Sequence, residues 1–362
     1  MPAWDAKISA MYIGRILKNI FLPESVAYLI LFLTDRCNAR CRMCFSHEGM
    51  ADKSARDRHE ILTLEGIERL LSHKRLANLV QLTLSGGEPF LREDVGDIIR
   101  LYAKLHPYSR ITVPTNGLLT GRISGVLGRA VDMHRVLNFS VPLTLLGVGE
   151  AHDRITGVKG HFSKLEETIR SLQPLRRRPN FKLYGITVLS SFNQDGMQEV
   201  VDYFTEHRTE FDGFNILYTR GEPRDPKGKD IEVAAYRRYR RRLENRGTLK
   251  LLARNLWRLV DHEIEHGEMD IKCNAGRKLL VVGERGDVYP CELMYNFTDP
   301  LLGNLYDYDF DIDGILESSR ALKIKRLISE GGCHCTFECA ISSSIVFSPG
   351  NFGSYIKTAL KG

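Results

Sequence analysis

Apolar and polar positions alternate along this chain with two periods. Mostly apolar runs at about 27–34, 79–85, 110–115, 135–143, 181–190 and 213–219 read as buried strands. The clearest is Ala27-Tyr28-Leu29-Ile30-Leu31-Phe32-Leu33. Stretches with helical spacing lie between them. One starts at Thr63, a residue suited to cap its first turn, and runs to Leu71. Others span Asp94 to Leu105, Phe162 to Leu172, and Gln194 to His207, the second of these with Phe162, Leu165, Ile169 and Leu172 on one face. Six strand–helix units predict a parallel α/β sheet or partial barrel, because parallel neighbours need crossovers of this length. In barrels, functional groups gather at the carboxyl ends of the strands.

Both ends depart from that rhythm. Residues 8–22 place Met11, Tyr12, Ile13, Ile16, Leu17, Ile20 and Phe21 around Arg15 and Lys18, an amphipathic helix that Pro23 ends. It reads first as a helix packed on the core and second as a membrane-surface helix. From 228 to 270 the pattern is charged and helical, a connector. Past 270 the alternation stops, glycines punctuate short strands and cysteines return, which marks a second, smaller domain. The expected division is 1–26, an N-terminal amphipathic helix; 27–228, the strand–helix core; 229–270, the connector; 271–345, a cysteine-rich domain; and 346–362, a tail.

Composition narrows the class. A chain of 362 residues with 43% hydrophobic content supports one large domain, or a large and a small one. No apolar run approaches the roughly 20 residues that cross a bilayer, and the N-terminus lacks a secretory pattern. Eight cysteines then point to metal ligands in a reducing, cytoplasmic setting. The net charge of +6 is partly concentrated in Arg176-Arg177-Arg178 and in Arg237-Arg238-Tyr239-Arg240-Arg241-Arg242, which read as solvated helix faces; a patch steering an acidic substrate is the sharper alternative. No aromatic-rich recognition motif supports nucleic-acid binding.

The chemistry starts at the end of the first strand, in Cys37-Asn38-Ala39-Arg40-Cys41-Arg42-Met43-Cys44. Three thiolates on one loop suit an iron–sulfur cluster and leave one iron of a four-iron cluster open to a small molecule. Zinc is the rival, with a fourth ligand from elsewhere such as His47. The next strand ends in Ser85-Gly86-Gly87-Glu88-Pro89, where the glycines let backbone approach a ligand closely and Pro89 shapes the turn. Strand three ends at Thr115-Asn116-Gly117, strand four carries Ser140, strand five runs into Ser190-Ser191-Phe192-Asn193, and strand six ends at Thr219-Arg220-Gly221-Glu222.

The cysteine spacing followed by Gly-Gly-Glu-Pro about forty residues later resembles the radical S-adenosylmethionine (radical SAM) superfamily. The resemblance implies an α/β chain with a partial (β/α)6 TIM-like barrel of parallel strands. It implies a [4Fe–4S] cluster on Cys37, Cys41 and Cys44 as the catalytic centre, with S-adenosylmethionine chelating its open iron. Gly86, Gly87, Glu88 and Pro89 then face the methionine end, and Glu88 accepts from its ammonium in a charge-assisted bond. Thr115, Asn116, Ser140 and Asn193 are further candidates for cofactor contacts. Met43 stands where many relatives have an aromatic beside the adenine. The stretch from Gly149 to Gly157 also has counterparts, but Thr156 replaces a frequent arginine, which leaves Arg154 as the substitute. The implied chemistry is cleavage to a 5′-deoxyadenosyl radical that abstracts a substrate hydrogen, fed by an external donor such as a flavodoxin or ferredoxin.

The remaining thiols are Cys273, Cys291, Cys333, Cys335 and Cys339. Five in fewer than seventy residues argue a second metal site, with zinc the alternative to a cluster. Cys273, Gly286 with Cys291, and Cys335 with Cys339 resemble the SPASM and twitch auxiliary-cluster domains of radical SAM enzymes. That implies a small C-terminal Cys-rich cluster-binding domain with one auxiliary [4Fe–4S] cluster. Its expected ligands are Cys273, Cys291 and Cys339, with Cys333 or Cys335 fourth. The expected substrate is a peptide, ahead of a sugar, cyclitol or lipid-linked metabolite; a non-catalytic electron relay is the alternative of another class.

Overall fold

The computed structural model describes residues 6–47, 59–242, 250–267, 269, 271–293, 300–331, 333 and 335–351. Positions 1–5 of the N-terminal segment, 243–249 of the connector, His334, and 352–362 of the tail lie outside the described residues. Among the described residues the strands are β1 (Tyr28–Phe32), β2 (Gln81–Ser85), β3 (Arg110–Thr112), β4 (Asn138–Thr144), β5 (Phe181–Leu189), β6 (Gly213–Tyr218), β7 (Leu279–Val282), β8 (Asp287–Tyr289) and β9 (Gly303–Asn304). The helices are α1 (Ala6–Phe21), α2 (Leu64–Ser72), α3 (Val95–Leu105), α4 (Thr120–Met133), α5 (Glu150–Thr156), α6 (His161–Leu172), α7 (Met197–Glu206), α8 (Val233–Arg242), α9 (Lys250–His266), α10 (Ile312–Glu317), α11 (Ser319–Ser329) and α12 (Glu338–Phe347).

Strand order is β6-β5-β4-β3-β2-β1-β7-β8-β9. The first six strands follow one another in chain order, the topology of a partial (β/α)6 barrel on a mostly parallel sheet. Each falls on one of the apolar runs. Register is parallel from β3 through β6, with Thr112 beside Ser140, Ser140 beside Lys182, and Gly185 between Leu143 and Phe214. β3 is shorter than its apolar run because Pro114 brings no N–H to the ladder. Pairing resumes on either side of it, where the Val113 and Thr115 amides donate to the Ser140 and Pro142 carbonyls at 2.9 and 3.0 Å.

The chain divides into two compact units, one built mainly from Phe32–Gly49 and Thr83–Asn245, the other from Ser9–Leu31, Met50–Leu82 and Arg246–Gly362. In the first, β5 alternates strictly: Phe181, Leu183, Gly185, Thr187 and Leu189 are buried and the residues between them half-buried. Gly185 is needed there for packing, since a Cβ would press into the Phe204 and Phe214 rings. Helix α8 departs from the expected solvated face. Tyr236, Tyr239 and Arg240 are buried, Arg237 is half-buried, and Arg238 and Arg241 are exposed, because the tyrosines give the helix an apolar side. Arg176 and Arg178 are ion-paired, to Asp212 at 3.2 Å and Asp132 at 2.8 Å.

In the second unit β1 is buried along its whole length, as its unbroken apolar run predicts. Its parallel partner is β7, with Tyr28 beside Leu279 and Leu31 beside Val282. β7 then turns back antiparallel onto β8, and Gly286 takes the left-handed φ of 87° that this turn requires. Thr63 caps α2, accepting from the Gly66 amide at 3.1 Å. Arg75, 9% exposed, is held by the carboxylates of Glu24, Asp313 and Glu317. One side of α1 packs Tyr12 and Ile16 against Ala27, Val80 and Phe347. From the same side Arg15 and Asn19 donate to the carbonyls of Leu79 at 3.0 Å and Asn78 at 2.7 Å.

Five helices were not legible in the pattern. α4 carries Gly121, Gly125 and Gly128, which lower its propensity. α5 is under two turns long. α10, α11 and α12 lie where only short strands were expected. α12 is apolar nearly all round, and its buried Ser343 and Ser344 are satisfied by Asn274. Among the described residues no helix is long and apolar enough to cross a membrane.

Candidate active site and a second thiol cluster

The loop after β1 is tied from three sides. The end of β2 supplies the first tie. The Gly87 amide donates to Thr34 O at 2.8 Å and the Glu88 amide to Arg36 O at 2.9 Å. This contact is close enough that only glycine fits. A Cβ on Gly86, whose φ is 120°, would run into the Thr34 carbonyl, and one on Gly87 into the carbonyl of Arg36. The glycines expected to make room for a ligand therefore bring two backbones together, and that contact sets the path of Cys37.

The end of α5 supplies the second tie. Its last turn leaves carbonyls without partners in the helix. Those of Thr156 and Ile155 take the amides of Arg40 at 2.7 Å and Arg42 at 3.2 Å. Gly157 closes the helix in a left-handed turn. The loop after β6 is the third. The Arg224 amide donates to Cys44 O at 2.9 Å, and the Asp225 amide to Arg42 O at 3.0 Å. The Arg42 guanidinium pairs with Asp225 at 2.7 Å and lies over the Phe192 ring. Met43 turns inward and packs with Leu146 and Ile155, beside Cys41.

So held, Cys37 is exposed and Cys41 and Cys44 are half-buried. Burial first, then the neighbouring thiolates, push the Cys41 thiol up to about 12; burial also raises Cys37. A cation bound here must displace protons, as metal binding to thiols does. The donor set fits an iron–sulfur cluster: three soft ligands on one loop, one of them, Cys37, exposed. Among the described residues no three cysteine thiols lie within 4.8 Å of one another. Tetrahedral zinc with Zn–S of about 2.3 Å would draw thiolates to about 3.8 Å apart.

Glu88 sits in the turn that follows β2. It is 1% exposed, and both of its oxygens accept from protein donors. Oε1 takes the Thr115 hydroxyl at 2.8 Å and the Phe90 amide at 3.2 Å, and Oε2 takes the Asn116 amide at 2.9 Å. Burial pushes its carboxyl up to about 7 against these bonds. A buried carboxylate must be satisfied internally, so Glu88 links the Pro89 turn to the end of β3. The buried Pro89 opens that turn.

Asn116 carries the link onward. Its side-chain Nδ2 donates to Asn38 Oδ1 at 2.8 Å and lies 3.8 Å from Cys37 Sγ, while its backbone carbonyl meets His161 Nε2 at 2.8 Å. Neither Asn38 nor His161 was expected at the site. Asn38 was signalled by its place between two cysteines; His161 had no sequence signal. Ser140 sits half-buried in β4.

Two expected contacts are not brought to the loop. Arg154 points to solvent, its side chain 70% exposed and 3.8 Å from Glu150. Asn193 is buried and spends its amide on the backbone, donating to Leu146 O and Val188 O and accepting from the Ser190 amide and hydroxyl. An asparagine after a strand readily closes its own turn in this way.

His161 stacks edge-on against His152 at 4.5 Å. His152 is fully buried, and its Nδ1 accepts from the Leu146 amide at 3.1 Å. Burial, then His161, pushes His152 down to about 3, and burial lowers His161. The unfolded chain takes up protons at these rings below about 6.5 that the fold refuses, so their contribution is complete above that pH and is lost as pH falls toward 3. His152→Asn keeps an acceptor for Leu146. It is expected to flatten the fall of the thermal midpoint between pH 6.5 and about 5. An unchanged slope in the variant would remove His152 as its source.

The second unit holds the other thiols. Cys273, Cys291, Cys333 and Cys335 line one small cavity with Met269, Ala340, Ile341 and Ser344. Burial pushes Cys335 up to about 12 and Cys333 up to about 11, each further raised by Cys273. Cys339 does not line this cavity. It sits in the first turn of α12 with its sulfur 3.6 Å from the Tyr28 hydroxyl. Of the five expected thiols, Cys273, Cys291, Cys333 and Cys335 thus share this cavity and Cys339 lies outside it. The start of α12 turns Cys339 toward β1.

A three-thiol loop pinned to a Gly-Gly-Glu turn, at the carboxyl ends of strands in a mostly parallel α/β sheet, defines a cluster-binding enzyme class. Residues 31–204 match the model of the radical SAM superfamily, and the chain belongs to that superfamily. Membership implies a [4Fe–4S] cluster and S-adenosylmethionine as cofactors. The GTP 3′,8-cyclase of Syntrophomonas wolfei is 31% identical over 180 residues, 50% of this chain and 51% of that protein. That of Moorella thermoacetica is 34% identical over the same shares of each. The chain spans about half the length of these curated relatives. Among solved structures, Streptococcus suis SuiB bound to the precursor peptide SuiA superposes with a TM-score of 0.60 at 15% identity, over 88% of this chain and 71% of that one. The protein anSMEcpe with bound AdoMet superposes at 0.57 with 18% identity, over 93% and 96%. At these identities the likeness is one of fold.

Proposed function

We propose that this chain is a radical SAM enzyme with two iron–sulfur clusters that acts on an unactivated C–H bond of a peptide. The observation carrying the radical step is the Cys37 loop zipped to Gly86-Gly87-Glu88 by backbone contacts that admit no side chain. Cys37, Cys41 and Cys44 would hold the first cluster. Bound there, that cluster would supply the electron for reductive cleavage of S-adenosylmethionine. The chain's own part is positional. Glu88, Thr115 and Asn116 hold the β2 and β3 ends in register with Cys37, and Met43 seals the loop's inner side.

Cys273, Cys291, Cys333 and Cys335 would hold the second cluster as an electron acceptor for a substrate radical or a relay. Four thiols lining one cavity, Cys291 buried and the other three half-buried, support it. A peptide substrate is supported by the fold shared with SuiB, whose structure holds a precursor peptide. An external one-electron donor of the flavodoxin or ferredoxin kind completes the reaction.

Anaerobic incubation with S-adenosylmethionine and dithionite is expected to yield 5′-deoxyadenosine. A Cys37→Ala, Cys41→Ala, Cys44→Ala variant is expected to yield none. Absence of product from wild-type protein with its clusters intact would leave an electron relay as the function.

A further inference from the structure

Helix α1 buries one side and presents the other as an apolar surface. Ile13, Leu17 and Phe21 repeat every fourth residue along that outer side and are 52, 48 and 78% exposed. Met11 and Leu22, both 47% exposed, flank them. Five of the nine large apolar residues exposed in the described molecule thus lie on one helix and the residue after it. Scattered exposed apolar residues are ordinary, but a contiguous stripe is a mark of an interaction surface.

The charge on the same helix selects the partner. Ala6–Phe21 contains Lys7, Arg15 and Lys18 and neither aspartate nor glutamate. Lys7 and Lys18 are both exposed, stand about three turns apart, and so share an edge of the stripe. Arg15 faces inward to the carbonyls it binds. Against a second copy of itself, this helix would set cation beside cation with no carboxylate to answer. Against an anionic lipid surface the same arrangement is complementary: apolar side chains enter the acyl boundary and lysines meet headgroup phosphates. At 16 residues the helix is too short to cross a bilayer.

We propose that α1 is an interfacial anchor that seats the protein on a membrane surface rich in anionic phospholipid, with Ile13, Leu17 and Phe21 as the inserted residues. The inner face of the helix stays packed on its own unit, so seating requires no unfolding.

The test is co-sedimentation of the full, cluster-loaded chain with vesicles of phosphatidylcholine alone and of phosphatidylcholine with phosphatidylglycerol. Strong binding to the anionic vesicles is expected, with weak binding to the neutral ones and loss on raising salt. Ile13→Ser, Leu17→Ser, Phe21→Ser together should cut the bound fraction about tenfold or more, with circular dichroism unchanged. Lys18→Gln changes an exposed side chain, so it carries the test if the triple variant misfolds; it should weaken the preference for anionic vesicles. Failure to bind either vesicle overturns the proposal. So does equal binding by the well-folded triple variant. A wild-type dimer in light scattering that the triple variant dissolves, with no recruitment by lipid, assigns the stripe to a second copy and overturns it as well.

Discussion

Gly87→Ala is expected to strip the N-terminal cluster from the protein while leaving the second one in place. The methyl group would enter the Arg36 carbonyl, and both sides of that clash are backbone, so no rotamer change relieves it. Residues 34–37 or the β2 end must move apart. Forced overpacking of this kind costs ~1–3 kcal/mol. The larger effect is on Cys37, whose position follows the Gly87–Thr34 and Glu88–Arg36 hydrogen bonds. Iron per chain after anaerobic reconstitution should fall by about half, and 5′-deoxyadenosine formation should disappear. Gly121→Ala is the control, since a Cβ there meets nothing within 4 Å; in a helix it should stabilise slightly, by up to ~1 kcal/mol. Full iron and full activity in Gly87→Ala would show that the glycine pair does not set the loop.

The thiol sets give the second large effect. Simultaneous Cys273→Ala, Cys291→Ala, Cys333→Ala and Cys335→Ala should remove about half of the iron and acid-labile sulfide, and the Cys37, Cys41, Cys44 variant the other half. Cys339→Ala should keep all of it, because its sulfur lies beside the Tyr28 hydroxyl and outside the cavity the other four line. Full iron in the quadruple variant with zinc bound in the wild type would replace the second cluster by a zinc site. Loss of half the iron in Cys339→Ala would return that residue to the ligand set. The two variants together separate the ligand assignment from the existence of the cluster.

Much of the site could be read in the residues. Cys37, Cys41 and Cys44 follow a strand in the sequence and follow one in the fold, and Gly86-Gly87-Glu88-Pro89 sits at the next strand's end as its alternation requires. What the residues did not reveal was direction. Glu88 and Asn193 are ligand-contact candidates in the sequence, and in the fold both hydrogen-bond neighbouring backbone and hydroxyl groups. Asparagine and a buried carboxylate bind backbone as readily as they bind ligands, and sequence carries no sign of which partner wins. Arg154 was misplaced for a simpler reason. One turn of a short helix decides whether a side chain faces the cysteine loop or water, and α5 turns it to water.

By itself the sequence determined the strand–helix rhythm, the six parallel strands, the N-terminal helix and the two groups of thiols. All of these are set by local periodicity or by residue types whose chemistry has few uses. The tertiary structure alone decided that β7 pairs in parallel with β1, a contact between residues some 250 positions apart. It also decided that Cys333 and Cys335 join Cys273 and Cys291 while Cys339 does not, and that His161 meets Asn116. Those choices depend on which distant backbones meet. Burial and hydrogen-bond satisfaction over the whole chain settle that, and no short window of residues contains it.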